Sequence, residues 1–327
     1  MNAILVTGGA GYIGSHCCKA LAAAGYQPVV YDNLSRGNKG TVKWGPLEQG
    51  DLQDGARLAN VLKKYQPLAV MHFAAYAYVG ESFENPLLYW HNNVSASLTL
   101  VEAAYRAGVM NLVFSSSCAT YGAQSQTPLR VEAPQRPVNP YGNTKLAVEM
   151  LLRDMTPLGL QSAVLRYFNA AGADPDGEIG ECHDPEPHLI PRILQVAQGR
   201  LPHLDIFGDD YPTPDGTCVR DYIHVSDLAD AHVLALRHLL AGRGSVTACL
   251  GAGRGVSVRT LVAAAEHVTG HPIPVRVGPP RPGDAPFLVA DATEAESLLG
   301  FVPSRSDLQT IIETAWRWEC RSLPKKI

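Results

Sequence analysis

The sequence has no excess of positive charge. Its 27 Lys and Arg stand against 31 Asp and Glu, a net charge of −4, and no basic run occurs. The positive footprint that nucleic-acid binding requires is therefore missing. Aromatic residues make up only 7% of the chain, and the four tryptophans have no spacing that makes a base-stacking platform. Long apolar runs are missing too. The longest, Leu68 to Val79, is about a dozen residues and contains His72, short of the roughly 20 that cross a bilayer. No charged leader precedes the first strand pattern, so no targeting segment is expected. The seven cysteines are odd in number, and Cys17, Cys18, Cys118 and Cys249 fall inside expected helices and strands. Reduced thiols and a cytoplasmic setting are expected rather than a disulfide framework. Neither Gly-x-Ser-x-Gly nor His-Glu-x-x-His is present. Cys182, His183 and His188 read as a polar loop, so no metal is expected.

What is present is globular. Apolar residues are 46% and charged residues 18% of 327, an ordinary balance. The length suggests roughly two domains and a core that needs no staples. The first 170 residues alternate strand and helix. Strands are expected at Ala3–Val6, Gln27–Tyr31, Leu68–Phe73, Asn111–Ser115 and Ser162–Phe168. Helices are expected at Tyr12–Ala24, Ser95–Arg106 and Pro140–Met155, the first stopped by Gly25. Apolar strands separated by helices predict a parallel sheet covered on both faces, the doubly wound α/β architecture. Residues 1–170 are read as this dinucleotide-binding Rossmann domain, with a return near 219–240. Residues 171–327 are read as a smaller α/β substrate domain, with helices near Ile190–Gln198, Val258–Val268 and Leu308–Trp318.

The opening strand runs into Thr7-Gly8-Gly9-Ala10-Gly11-Tyr12-Ile13-Gly14. Gly8, Gly11 and Gly14 allow a tight turn, close backbone approach to a pyrophosphate, and a helix N-terminus aimed at that anion. The motif sits between strand and helix, as the mechanism requires. Asp32 ends the second strand, where a carboxylate binds ribose hydroxyls and repels a 2′-phosphate. NAD is therefore expected over NADP, with Arg36 the one residue able to soften that preference. Tyr141 and Lys145 are four apart on a helix begun by Pro140, hence on one face. A tyrosine is a poor base at neutral pH, but a nearby ammonium and a cationic nicotinamide both favour its phenolate. The Phe114–Gly122 stretch, with Ser117, ends an apolar strand at the carboxyl edge of the sheet, where such folds bind ligands.

These segments together carry a resemblance. TGGAGYIGSH at 7–16, DNL at 32–34, GDL at 50–52, HFAA at 72–75, VGES at 79–82, SSSCATYG at 115–122, YGNTK at 141–145, LRYFNAAGA at 165–173 and the 210–232 run resemble the UDP-glucose 4-epimerases. These are NAD-dependent members of the extended short-chain dehydrogenase/reductase superfamily, and the likeness is greatest to the bacterial exopolysaccharide type. The resemblance spans the chain. It implies Tyr141 as catalytic base, Lys145 as its electrostatic partner and Ser117 as a hydrogen-bonding partner of the sugar. It implies cofactor contacts from Tyr12, Ile13, Asp32, Asn33, Asp51, Leu52, Phe73, Ala74, Ala75, Asn92, Ser115, Lys145 and Tyr167. UDP-sugar contacts are implied for Asn169, His188, Leu189, Phe207, Arg220, Arg281 and Asp284, with Leu288 near the sugar C2 substituent. A homodimer is implied as well, through the Ser95–Arg106 and Pro140–Met155 helices.

Two departures stand out. Ala77 occupies a position where the family pattern has a lysine, and His188 stands where an asparagine is common. The competing chemistry is a nucleotide-sugar 4,6-dehydratase, which needs an added acid–base pair, usually Asp-Glu directly after the active-site Ser or Thr. Ser117 is instead followed by Cys118, Ala119 and Thr120.

Overall fold

The computed structural model describes residues 2–124, 127–281 and 284–321. Pro282 and Gly283, inside the Arg281–Asp284 run, lie outside the described residues. Seven parallel strands form the central sheet. In spatial order they are Val246–Leu250, Gln161–Tyr167, Asn111–Ser117, Ala69–His72, Ala3–Thr7, Gln27–Asp32 and Leu47–Gln49. Ala3–Thr7 is buried at every position, which is why it reads as a continuous apolar run rather than an alternation. Buried apolar clusters fill both faces of the sheet. The strand order reverses about Ala3–Thr7, so a crevice opens beyond the carboxyl ends of that strand and Ala69–His72. Thr7 Oγ1 and His72 Nδ1 are hydrogen-bonded across it at 2.7 Å.

The 219–240 segment, read from the sequence as a return to the first domain, divides in two. The helix Val225–Leu240 packs against the helix Tyr12–Ala23 and the central strands. The segment before it does not join the main sheet. Val219–His224 instead pairs with Asn169–Ala171, Gly255–Ser257 and Phe287–Leu288 in a second sheet. The seventh central strand is Val246–Leu250, beyond the range expected for the return. A third apolar cluster lies among the helices Leu189–Ala197, Val258–Thr269 and Leu308–Glu319. The segment Leu204–Phe207 pairs with Val275–Gly278 beside it.

The helix expected at Ser95–Arg106 also differs. It starts at Ala96, and the residues before it, Trp90–Ser95, form a wide π-helical turn that follows Pro86–Tyr89. Such turns displace side chains from the regular spiral and collect at functional sites. Here the turn carries Asn92 and Asn93. Asn93 Nδ2 donates to Thr144 Oγ1 at 3.0 Å and to the Tyr76 carbonyl at 2.9 Å.

Candidate active site

A cleft of about 1210 Å³ runs between the carboxyl edge of the main sheet and the second sheet. Single-ligand pockets hold roughly 300–1,000 Å³, so this one has room for two molecules side by side. Its wall includes every site residue named from the sequence.

The glycine turn lies at one end. Gly8 has φ +73, and a Cβ there would stand 2.5 Å from the Ala74 amide nitrogen. A Cβ on Gly14 would stand 2.2 Å from the Gly8 carbonyl oxygen. Backbone, not side chain, therefore forms this cradle, and the helix Tyr12–Ala23 begins within it. Those features fit a dinucleotide pyrophosphate. Asp32 is 8% exposed, and its carboxylate accepts the Ala10 amide at 3.0 Å and the Leu34 amide at 2.8 Å. Asn33 Nδ2 donates to Asp51 at 2.8 Å, which draws those two residues together.

Arg36 has a definite place. Its guanidinium lies 4.2 Å from the ring centre of Tyr76 and 4.6 Å from that of Tyr78, and it pairs with Glu81 at 2.6 Å. A cation thus sits beside Ala77 although the chain has no lysine there. Because Glu81 already neutralises Arg36, Asp32 should decide cofactor choice. A carboxylate and a phosphate charge 4 Å apart repel by about 4 kcal/mol at an effective dielectric of 20. We therefore expect NADP to bind cofactor-stripped protein at least about 100-fold more weakly than NAD. Calorimetric titration with each dinucleotide checks this, and equal affinities would contradict it.

The chemistry-bearing groups lie farther along. Asn139 caps the helix Pro140–Met155, its side chain accepting the Gly142 amide at 2.7 Å. Gly142 lets this helix approach the turn after Ser117, since a Cβ there would come within 2.5 Å of the Ala119 carbonyl. Tyr141, Lys145 and Ser117 are 8%, 3% and 8% exposed. Lys145 Nζ donates to the Ser115 carbonyl at 2.6 Å, and the Ser115 and Tyr167 hydroxyls are hydrogen-bonded. Burial pushes Tyr141 up to about 12, against the downward pull of the adjacent Ser117 hydroxyl. Burial also pulls Lys145 down to about 7, with Glu149 acting the other way. The protein alone therefore holds Tyr141 as a phenol. The ammonium expected from the sequence to favour its phenolate is itself strongly desolvated.

Glu149 and Arg166 form a buried pair beneath this group, at 2.7 Å. Ser116 donates to Glu149, and Arg166 Nη1 donates to the Tyr121 hydroxyl at 2.8 Å. Ser116, Tyr121 and Arg166 lie within the SSSCATYG and LRYFNAAGA segments, but Glu149, which joins them, lies outside every motif.

On the opposite wall of the cleft, Arg220 pairs with Asp284, and its Nη1 donates to the Ala285 carbonyl at 2.7 Å. The simple alternative, Arg220 paired with its neighbour Asp221, does not hold. Asp221 accepts the amides of Ala252, Gly253 and Ala290 at 2.8, 3.0 and 3.1 Å. Arg281 stacks 3.9 Å over the Phe207 ring. Asn169, His188, Leu189 and Leu288 complete this wall. His188 Nδ1 lies 2.7 Å from Glu181 and 3.0 Å from Glu186. Burial lowers its pKa, but the two carboxylates outweigh that and lift it to about 10. Glu181 and Glu186 were not singled out in the sequence.

A nucleotide cradle joined to a Ser–Tyr–Lys group on a doubly wound sheet defines a dinucleotide-dependent enzyme acting at a sugar-like hydroxyl. The chain belongs to the NAD dependent epimerase/dehydratase family, whose sequence model matches residues 4–248. It is 52% identical to the UDP-glucose 4-epimerase of Rhizobium leguminosarum bv. trifolii over 320 residues, 98% of each chain. Among solved structures it is similar to the UDP-glucose 4-epimerase of Brucella ovis in complex with NAD. There the TM-score is 0.95 at 53% identity, over 97% of this chain and 98% of that one. It is also similar to the UDP-Glc/GlcNAc 4-epimerase of Campylobacter jejuni, with TM-score 0.85 at 37% identity over 98% and 99% of the two chains.

Proposed function

We infer that the protein interconverts UDP-glucose and UDP-galactose by NAD-dependent epimerisation at C4. The observation that carries this is Tyr141, Lys145 and Ser117 gathered at the junction between the glycine cradle and the Arg220–Arg281 wall. Full-length identity to enzymes of that activity supports it. NAD, when bound, supplies a hydride acceptor that becomes the donor on the return. Tyr141 takes the proton from the sugar O4 and later gives it back, a general base then a general acid. Ser117 hydrogen-bonds the same oxygen. Lys145 stabilises negative charge on the Tyr141 oxygen. Between the two transfers the 4-keto sugar turns over about its diphosphate linkage. Arg220 and Arg281 hold the diphosphate by charge-assisted hydrogen bonds while the sugar moves. No carboxylate follows Ser117, so nothing in that turn is equipped to eliminate water from C5 and C6. A panel of UDP-hexoses, UDP-N-acetylhexosamines and UDP-pentoses tests the reading. Fastest turnover of UDP-galactose and UDP-glucose supports it, and their rejection would contradict it.

In this reading the main sheet binds NAD, the second sheet with its helices binds the UDP-sugar, and Leu288 sets the width of the sugar pocket. Leu288 pairs with Arg220 in the second sheet, lines the cleft and is only partly buried. It also touches the small cluster around Tyr121 and Phe168. A leucine leaves an intermediate volume, so weak or moderate UDP-N-acetylglucosamine turnover is expected beside UDP-galactose. Leu288→Tyr should abolish the N-acetyl activity and spare UDP-galactose, and Leu288→Ser should raise it. One added or removed methylene-sized contact changes discrimination by about 10–200-fold. An unchanged ratio of the two activities in both variants would place the gate elsewhere.

The free protein is read as a homodimer. Leu87 is 71% exposed, and Leu98 and Met150 are each 52% exposed, on neighbouring helices with Phe83 and Trp90. An apolar patch of this kind marks an interface, and a two-fold partner is the commonest way to cover it. Leu98→Glu with Met150→Glu should convert the dimer to a monomer in light scattering. A wild type that is already monomeric would contradict this. No helix of the described residues is long and apolar enough to cross a membrane. Cys17, Cys18, Cys218 and Cys249 are buried thiols, which supports the cytoplasm as the compartment.

A further inference from the structure

The segment Glu181–His188 brings four metal-binding side chains together beside the cleft. One ligand atom from each of Glu181, His183, Glu186 and His188 lies within 4.8 Å of all the others. His183 Nδ1 is 3.2 Å from Glu181 and 3.6 Å from Glu186. It is buried yet makes no aligned hydrogen bond. The segment is fastened at its start. Trp318 Nε1 donates to the Glu181 carbonyl at 2.8 Å, and the Trp318 ring fills the space above Gly180. Its far end enters the helix Leu189–Ala197 at the cleft wall. Both imidazoles make T-shaped contacts with the Tyr78 ring, 5.7 and 5.9 Å away between ring centres.

We propose that Glu181, His183, Glu186 and His188 form a four-ligand site for a divalent transition-metal ion, zinc foremost. Bonds of about 2.0–2.2 Å in a tetrahedron set neighbouring ligand atoms about 3.3–3.6 Å apart. His183 Nδ1 already stands near that spacing, 3.2 Å from Glu181 and 3.6 Å from Glu186. His188 Nδ1 is closer, 2.7 Å from Glu181 and 3.0 Å from Glu186, and would give up its hydrogen bond to Glu186 when an ion enters. Two imidazoles with two carboxylates are a borderline donor set that zinc takes in preference to magnesium or calcium. The two carboxylates also balance the charge of a divalent ion. Four protein ligands leave no open position, which is the signature of a structural rather than a catalytic site. The ion would fix the segment that carries His188 and Leu189 into the cleft wall. The other acidic cluster, Asp174, Asp176 and Glu178, is different. It has no imidazole and already surrounds the Lys19 ammonium at 2.7–2.8 Å, a charge that no metal can displace by deprotonation, whereas zinc at the first cluster would displace the proton that Glu181 and Glu186 hold on His188.

The test uses the full-length, NAD-loaded protein, stripped with a chelator and desalted. It is incubated with zinc chloride, passed through gel filtration, and assayed by elemental analysis. Wild type should retain about one zinc per chain. His183→Gln and Glu186→Gln should each bind it more than about tenfold more weakly, with their NAD absorbance showing that they are folded. Asp176→Asn should bind like wild type. If His183→Gln loses NAD, Glu186→Gln gives the same readout. Wild type retaining no zinc would overturn the proposal, as would His183→Gln and Glu186→Gln retaining as much as wild type.

Discussion

Tyr141→Phe is expected to fold, keep NAD and lose about 10²- to 10⁴-fold in kcat, the usual contribution of a general acid–base group. That is about 2.7–5.5 kcal/mol of transition-state stabilisation. The substitution removes one oxygen. The backbone cap at Asn139, the Lys145 bond to Ser115 and the close approach at Gly142 all stay in place. The loss should therefore fall on kcat rather than on NAD content or thermal stability. Initial rates with UDP-galactose, beside the absorbance of bound cofactor, separate these effects. Activity within a few-fold of wild type would remove Tyr141 from the role of base and leave Ser117 as the nearest candidate.

Glu149→Gln should destabilise the fold by about 3–5 kcal/mol, because it leaves Arg166 as a buried charge without its partner. The Glu149 and Arg166 side chains are 4% and 8% exposed, so water cannot replace the lost carboxylate. Denaturant midpoints of the NAD-loaded protein measure the cost. The double variant Glu149→Leu with Arg166→Met should recover part of it, since an apolar pair of similar volume is often neutral. A loss below about 1 kcal/mol in the single variant would show that Tyr121 and the Val131 carbonyl suffice to hold Arg166. The same pair steadies the active site, because Ser116 donates to Glu149 and flanks both Ser115 and Ser117. Lys145, one turn earlier on the same helix, loses an upward influence on its pKa when Glu149 is neutralised.

Local signals were legible in the sequence where one short segment holds all the physics. The turn from Thr7 to Gly14 needs only its own glycines, a strand before and a helix after. The Tyr141–Lys145 face needs only Asn139 and Pro140 to start a helix at the right place. Structure made by distant partners was not legible. The strand Val246–Leu250 is five residues of unremarkable apolar pattern, and its place beside Gln161–Tyr167 depends on the path of the helix between. The 219–240 segment was read as one return to the first domain, and nothing local separates the helix Val225–Leu240 from Val219–His224, whose edges pair with strands of the second sheet. The wide turn at Trp90–Ser95 has no composition signal, although it places Asn93 against Thr144. Arg36 was weighed only against the ribose phosphate, whereas Tyr76, Tyr78 and Glu81 claim it in three dimensions. Cys182, His183 and His188 read as a polar loop, and the segment is irregular; the carboxylates of Glu181 and Glu186 beside the two imidazoles were not foreseen.

The central claim is that oxidation and reduction at C4 close on themselves within this cleft. The most direct measurement follows UDP-galactose with the NAD-loaded protein, reading product sugars by chromatography and reduced cofactor by absorbance at the same time. The account predicts that UDP-glucose accumulates to equilibrium over many turnovers with no net NADH released. Release of NADH in step with substrate loss, or formation of a 6-deoxy-4-keto sugar, would contradict it.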